Sequence, residues 1–221
     1  NPAVTVKCRK HPKAPAYLGF ALVELQSVTG SFFADVTVDQ GDGVLSLYGQ
    51  LDDIPLGPEQ RRPVGIAVRL QATAERPAPL RFITRAFHDG AGTSLGTLRF
   101  QFTCRALAEE ALFQLKQGQL PELDCEPGRA RSQSFQVETL QPAANTVSYA
   151  LNALGTPSPG FAHSLQQTAN RYGSPDGPLV DADYFGTLVP AGSGEVFRLD
   201  GQDAQGASQS IPFISWVVDT P

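Results

Sequence analysis

Methionine is absent from the 221-residue chain, tryptophan occurs once, and cysteine and histidine occur three times each. Charged residues make up only 18 % of the chain, and its formal net charge is −5. A nucleic-acid partner normally requires a basic stripe, so this acidic balance argues against one. The sequence contains no run of about 18 apolar residues and therefore predicts no transmembrane segment.

Motifs that would identify an enzyme are also missing. The three histidines, His11, His88 and His163, stand far apart, and no pair has the spacing of a metal-binding motif. There is no G-x-S-x-G elbow, no Walker phosphate loop and no G-x-G-x-x-G turn between a strand and a helix. The sequence thus leans against an enzyme without deciding the question.

Glycine and proline, with 21 and 18 copies, separate short runs in which apolar and polar residues alternate. Turn signals about every 8–12 residues are typical of antiparallel β-sandwiches. One stretch differs, because Ala106 to Gln117 places Leu107, Ala111 and Leu115 on a helical stripe. The sequence therefore predicts a mainly β fold of antiparallel β-sandwich units with one short helix at their junction.

The polar, breaker-rich segment 126–134 is the best candidate for a linker. We expect an N-terminal β-sandwich domain over 1–125 that ends in the helix, and a C-terminal β domain over 126–221 with a long loop. The last hairpin contains Phe197, Leu199, Asp203, Gly206 and the closing run 211–218. It resembles the final two strands of immunoglobulin-like bacterial surface modules, and this resemblance implies an immunoglobulin-like C-terminal domain.

Three cysteines allow one disulfide and one spare thiol in an exported protein. A Cys104–Cys125 bond would staple the predicted helix to its own strand and is the favoured pairing. A Cys8–Cys104 bond would instead tie the first strand of the N-terminal domain to its last. Three reduced thiols, packed as small apolar residues, are the remaining alternative. The start at Asn1-Pro2 is that expected of a processed or trimmed chain, and removal of an export signal is one of the two explanations that it leaves open.

Candidate metal ligands come from acidic turns and from the histidines. Asp181 and Asp183 follow a loop rich in proline and glycine, and they are the predicted calcium pair. Other acidic turns, such as Asp52-Asp53, are explained by the tendency of aspartate to begin turns. His88 and His163 are candidate ligands of a transition metal if distant loops converge.

One tyrosine lies within the predicted long loop over residues 155–178, and another follows it. Tyr172 and Tyr184 are candidate ligand-binding residues, because exposed aromatic rings are suited to carbohydrate. The sequence implies no cofactor, with calcium as a possible exception.

Taken together, these features favour an exported, non-catalytic binding or structural protein, located extracellularly or in the cell envelope, whose partner is a protein or a carbohydrate. One alternative is a subunit of a larger assembly, such as a capsid, pilus or envelope complex, which would make the chain an oligomer. The other is a metal-dependent enzyme or metal-binding protein whose site is assembled from dispersed loops.

Overall fold

The computed structural model describes residues 3–38, 45–71, 81–141, 146–156, 158–166, 176–190 and 192–218. Over these ranges the chain forms β-strands and no helix, so the prediction of a mainly β protein is confirmed. The described chain accordingly offers no helix that is long and apolar enough to cross a membrane.

The strands in chain order are β1 (Ala3–Lys10), β2 (Ala16–Gln26), β3 (Phe32–Val38), β4 (Leu45–Tyr48), β5 (Ile54–Leu56), β6 (Arg61–Gln71), β7 (Arg81–His88), β8 (Ser94–Glu110), β9 (Phe113–Leu115), β10 (Glu122–Cys125), β11 (Ala130–Thr139), β12 (Val147–Ala153), β13 (Phe161–Gln166), β14 (Asp176–Phe185), β15 (Gly194–Asp203) and β16 (Ser208–Val217).

The chain divides into two compact units. Unit 1 comprises residues 1–8 and 15–107, and unit 2 comprises residues 9–14 and 108–221. Each unit is a group of residues that contact one another, and such a group need not fold independently. The expected domain division after residue 125 therefore stays a prediction.

Unit 1 is built on an eight-stranded sheet in the order β4-β6-β2-β1-β8-β7-β3-β5. Strands from opposite ends of the sheet also touch, β3 with β4 and β5 with β6, so the sheet folds over onto itself. Alternation decides what it buries: on β6, Val64, Ile66, Val68 and Leu70 are buried while Arg69 is exposed. The enclosed core is mainly aliphatic.

Unit 2 consists of two four-stranded sheets, β10-β16-β15-β12 and β13-β14-β11-β9. Rings from the two sheets pack together, with Phe135 of β11 and Phe213 of β16 5.2 Å apart between centroids. Phe197 of β15 stacks on Phe213 at 4.9 Å. The sheets are not purely antiparallel, because β10 pairs with β16 in parallel.

The predicted helix over Ala106–Gln117 is wrong. Strand β8 continues to Glu110, and β9 then pairs with β11. Between them, the Ala111 amide donates to the carbonyl of Lys10 at 2.8 Å, and the Leu112 amide donates to the side chain of Gln209 at 2.7 Å. Distant segments thus supply the hydrogen-bond acceptors for these backbone amides, and this overrides the local helical propensity.

The predicted long loop also contains a strand, because β13 runs over Phe161–Gln166 and pairs with β14. Residues 162–166 of the predicted loop are therefore strand, and residues 167–175 lie outside the described residues. The final hairpin, by contrast, is confirmed: β15 and β16 pair antiparallel around a turn that ends at Gly206, which has a φ of 86°.

Candidate functional site

Three potential metal ligands from separate segments of unit 1 converge. Asp35 lies on β3, His88 ends β7, and Asp53 directly precedes β5. The Nε2 atom of His88 is 3.2 Å from Oδ1 of Asp53 and 3.6 Å from Oδ1 of Asp35. All three ligand atoms lie within 4.8 Å of one another, and elsewhere in the described ranges no comparable group of three forms.

Strand pairing explains how these side chains meet. Because β3 and β7 run antiparallel with Phe33 opposite His88, the imidazole stacks on the Phe33 ring at 5.5 Å with 14° between the planes. Asp35 is two residues further along β3 and therefore on the same face. Asp53 has a φ of 49°, and its amide donates to Oδ1 of Asp35 at 2.9 Å. The Asp53 turn is thereby held against β3.

The hydrogen bond of Nδ1 indicates which ring nitrogen of His88 carries a proton. Nδ1 lies 3.0 Å from the backbone carbonyl oxygen of Asp89. A carbonyl only accepts hydrogen bonds, so Nδ1 carries a proton and Nε2 faces the two carboxylates. The pKa of His88 is raised, first by the hydrogen bond to Asp89; burial opposes this rise, and the charges of Asp35 and Asp53 each add to it. The sequence drew attention to His88 and to the Asp52-Asp53 turn separately, but it held no sign that they meet.

His163, the second predicted histidine, occupies a different environment in unit 2. Its Nδ1 is 3.7 Å from Oε2 of Glu195, and its Nε2 is 3.4 Å from Oγ of Ser215. The ring stacks on Phe197 at 3.6 Å. Burial lowers the pKa of His163 to about 4, against a raising effect of the Asp183 charge. The same desolvation raises the pKa of Glu195.

Ser215, His163 and Glu195 are arranged in the same order as the serine, histidine and carboxylate of a catalytic triad. Only 8 % of the His163 side chain and 6 % of the Glu195 side chain are exposed, and Ser215 has no exposed surface. A substrate therefore has no route to the hydroxyl, and the cluster is a polar part of the core. His88 and His163 lie in different units, and each has carboxylate neighbours within its own unit.

Asp181 and Asp183 lie inside β14, between β11 and β13, and not on a loop. The hydroxyl of Ser134 donates to Oδ1 of Asp181 at 2.5 Å. Calcium sites draw on carbonyl oxygens at loop tips, whereas the backbone here belongs to the β ladder on both sides. Calcium binding by this pair stays a prediction to which the strand geometry lends no support.

The expectation that Tyr184 faces a ligand is wrong, because its side chain is buried at 1 % exposure. Its ring packs against Phe161 with centroids 5.0 Å apart, and its hydroxyl donates to the carbonyl of Thr187. Alternation along β14 directs this ring into the core of unit 2. Tyr172 lies outside the described residues.

The favoured Cys104–Cys125 pairing is also wrong, since the disulfide joins Cys8 to Cys104. Strands β1 and β8 are neighbours in the sheet of unit 1, which brings the two Cα atoms to 5.8 Å. Cys125 is a buried free thiol on β10 of unit 2, and burial raises its pKa to about 11. It is therefore a core residue and not a reactive thiolate.

A pocket of about 200 Å³ in unit 1 is lined in part by Arg85, a half-buried residue that the sequence did not single out. The guanidinium of Arg85 lies over the rings of Phe87 and Phe100, at 4.8 and 5.0 Å from their centroids. Its Nε atom is buried and has no hydrogen-bond partner. The pocket is also lined by Ser27, Thr29, Phe32 and Leu56. An arginine on a strand has no motif around it, so only the folded sheet reveals this pocket.

Comparison with known proteins leaves the family open. No protein-family model matches the chain, and no curated protein matches it. The sialic acid binding region of a Streptococcus sanguinis SK1 adhesin, solved with 3'sLn, is 10 % identical with a TM-score of 0.35, over 99 % of this chain and 76 % of that one. The Pseudomonas aeruginosa CupB2 chaperone is 13 % identical with a TM-score of 0.30, over 96 % of this chain and 97 % of that one. The N-terminal Ig1-2 module of the Drosophila receptor protein tyrosine phosphatase DLAR is 8 % identical with a TM-score of 0.28, over 99 % and 95 % of the two chains. Similarity at this level does not establish a shared function.

Proposed function

We propose that the chain is an exported, non-catalytic binding or structural protein that acts at a cell surface or in a cell envelope. The observation that carries this proposal is the Cys8–Cys104 disulfide, which closes a separation of 96 residues within unit 1. Disulfides persist in oxidising compartments and are rare where thioredoxin and glutathione keep thiols reduced. Cys8 has no exposed surface, so the disulfide belongs to the core and does not join two exposed thiols.

The non-catalytic part of the proposal is supported by the His163 cluster. This triad-like arrangement of Ser215, His163 and Glu195 is buried, and Ser215 has no exposed surface between the sheets of unit 2. Catalytic hydroxyls must reach a substrate, so this serine has a structural role in the proposal.

The Arg85 pocket supports a binding role. A guanidinium whose Nε is buried and unpaired is suited to an anionic group, because its planar donors match the two oxygens of a carboxylate. Phe32 and Phe87, 5.3 Å apart and edge to face, provide an apolar wall beside it. We therefore propose that a surface partner is recognised through a carboxylate.

Alkylation and intact-mass measurement test the export proposal. In denaturant, chain isolated from its native cells should take up one alkyl group without reductant and three with it, because Cys125 alone is free. Chain that takes up three groups without reductant would refute an oxidising compartment.

The binding proposal is tested on arrays of carboxylated and neutral glycans. We expect the intact chain to bind carboxylated probes and Arg85→Gln to lose that binding. Arg85→Lys should recover it only in part, because an ammonium lacks the planar fork. Arg105→Gln removes an exposed cation on β8 and serves as the matched control. Equal binding of carboxylated and neutral probes would contradict a role for Arg85.

A second candidate function, a subunit of a larger assembly, is favoured by two exposed apolar side chains in unit 2. Phe185 is 65 % exposed and Leu188 is 85 % exposed, only three positions apart. Side chains of this size covered by another copy would account for their position. Sedimentation at two concentrations tests this: association should be weakened by Phe185→Ser with Leu188→Ser, and a concentration-independent monomer would exclude self-assembly.

A further inference from the structure

We propose that Asp35, Asp53 and His88 of unit 1 form a binding site for a divalent transition metal ion of the zinc type. This inference stands apart from the export and binding proposals, and its failure would leave them unchanged. It assigns His88 two specific partners and removes His163, Asp181 and Asp183 from the site.

Two distances in the cluster match those expected between ligands of one shared ion. A charged nitrogen that donates to a carboxylate normally lies about 2.7–2.9 Å from it. The Nε2 atom of His88 is 3.2 Å from one carboxylate oxygen and 3.6 Å from the other. Two ligands held about 2.0–2.2 Å from one tetrahedral ion are roughly 3.3–3.6 Å apart. These two nitrogen-to-oxygen separations are close to that range, and all three ligand atoms lie within 4.8 Å of one another.

The imidazole is oriented as a metal-binding imidazole usually is. Histidine ligands commonly donate the proton of their second nitrogen to a carbonyl or carboxylate, which fixes the tautomer and aims the lone pair. His88 does this through Nδ1 and the Asp89 carbonyl at 3.0 Å. Stacking on Phe33 further restricts ring rotation. These contacts come from outside the three ligands and direct Nε2 towards the carboxylates.

The ligand set selects the class of ion. An imidazole nitrogen with two carboxylate oxygens suits zinc and its neighbours, whereas calcium and magnesium favour oxygen alone. The two carboxylates also repel each other, and a cation between them relieves that repulsion. The Asp53 side chain is 73 % exposed, so an ion could enter from solvent and retain an open position. A donor from water or from a partner would complete the coordination.

Calorimetric titration of the tag-free full chain with Zn²⁺ tests the proposal, with Co²⁺ absorption as a second readout of nitrogen and oxygen coordination. We expect one equivalent of Zn²⁺ to bind, and at least a tenfold loss of affinity in each of Asp53→Asn and His88→Gln. Asparagine tolerates a positive φ, so Asp53→Asn preserves the backbone conformation at that position.

Matched controls separate this site from other donors. Asp52→Asn changes the neighbouring carboxylate of the same turn, His163→Gln removes the buried histidine, and Cys125→Ser removes the free thiol. All three should leave the affinity unchanged. The proposal is overturned if the chain takes up no zinc, or if Asp53→Asn and His88→Gln bind it as tightly as the parent.

Discussion

Unit 1 and unit 2 hold their interiors together by different means. Unit 1 encloses a mainly aliphatic core within one eight-stranded sheet, and a disulfide joins two neighbouring strands of that sheet. Unit 2 packs two sheets on a line of aromatic rings, including Phe135, Phe213 and Phe197, and its cysteine is unpaired. Similar strand patterns in one chain thus produce two kinds of core.

The two histidines make the same contrast in electrostatic terms. Each lies within 4 Å of a carboxylate oxygen, yet the pKa of His88 is raised and that of His163 is lowered. His88 is near the surface, where the hydrogen bond that its ring donates to the Asp89 carbonyl and two nearby carboxylates favour the charged form. His163 lies between sheets, where desolvation outweighs attraction. Burial, and not the presence of a partner, decides the sign of the shift.

The largest expected effect comes from removing the disulfide. Cys8→Ala with Cys104→Ala should lower the free energy of unfolding of unit 1 by about 4 kcal/mol, because the bond closes a long loop in the unfolded chain. Hydrogen exchange of the β1 and β8 amides measures this. Cys125→Ala is the control and should leave those amides unchanged. Unaltered exchange in the double variant would show that the aliphatic core stabilises unit 1 without help from the disulfide.

The aromatic core of unit 2 should respond almost as strongly. Phe213→Ala removes a ring that contacts Phe135 and Phe197, and we expect a loss of about 3–5 kcal/mol. The single tryptophan, Trp216, lies on β16 of this unit, so its fluorescence during urea unfolding reports on unit 2. A loss below about 1 kcal/mol would mean that the rings contribute no more than ordinary surface contacts.

Acid should destabilise unit 2 through His163. Its pKa is about 6.5 unfolded and about 4 folded, so the stabilising contribution is complete above pH 6.5 and is lost as the pH falls to 4, up to about 3 kcal/mol. The raised pKa of Glu195 acts in the opposite direction, because its contribution is lost as the pH rises above 4.5. Urea unfolding of Glu195→Gln, followed by Trp216 fluorescence, therefore isolates the histidine.

The control for this experiment is Glu195→Gln with His163→Gln, which retains every other titrating group. The difference in free energy of unfolding between the two variants should shrink as the pH falls from 6.5 to 4. A difference that does not change with pH would mean that His163 is not desolvated.

The smallest effects should come from glycines that lie under rings. A Cβ at Gly65 would be 2.1 Å from the Tyr48 ring in unit 1, and one at Gly201 would be 2.5 Å from the Phe113 ring in unit 2. We expect Gly65→Ala to cost about 1–3 kcal/mol by overpacking and Gly201→Ala to cost less. Gly57→Ala, whose Cβ would make only ordinary contacts, is the control. Thermal unfolding ranks the three, and equal values would show that both rings move aside freely.

Local patterns predicted some of the structure correctly. Alternation of apolar and polar residues between turn signals predicted a mainly β fold, and the turn at Asp203 to Gly206 marked the last hairpin. The same reasoning failed at Ala106–Gln117, where helical propensity gave way to bonds with Lys10, Gln209 and β11. Of the three residues in the candidate site, the sequence predicted only His88 as a metal ligand, and it did not predict Asp35 or Asp53 as its partners.

By itself, the sequence determined the strand-rich character of this protein, because the period of two and the spacing of glycine and proline are properties of adjacent residues. Only the tertiary structure decided that Cys8 pairs with Cys104, that Tyr184 is buried and that His88 meets two aspartates. Each of those outcomes depends on which strands become neighbours. Strand pairing joins residues far apart in the chain, and no short-range pattern records it.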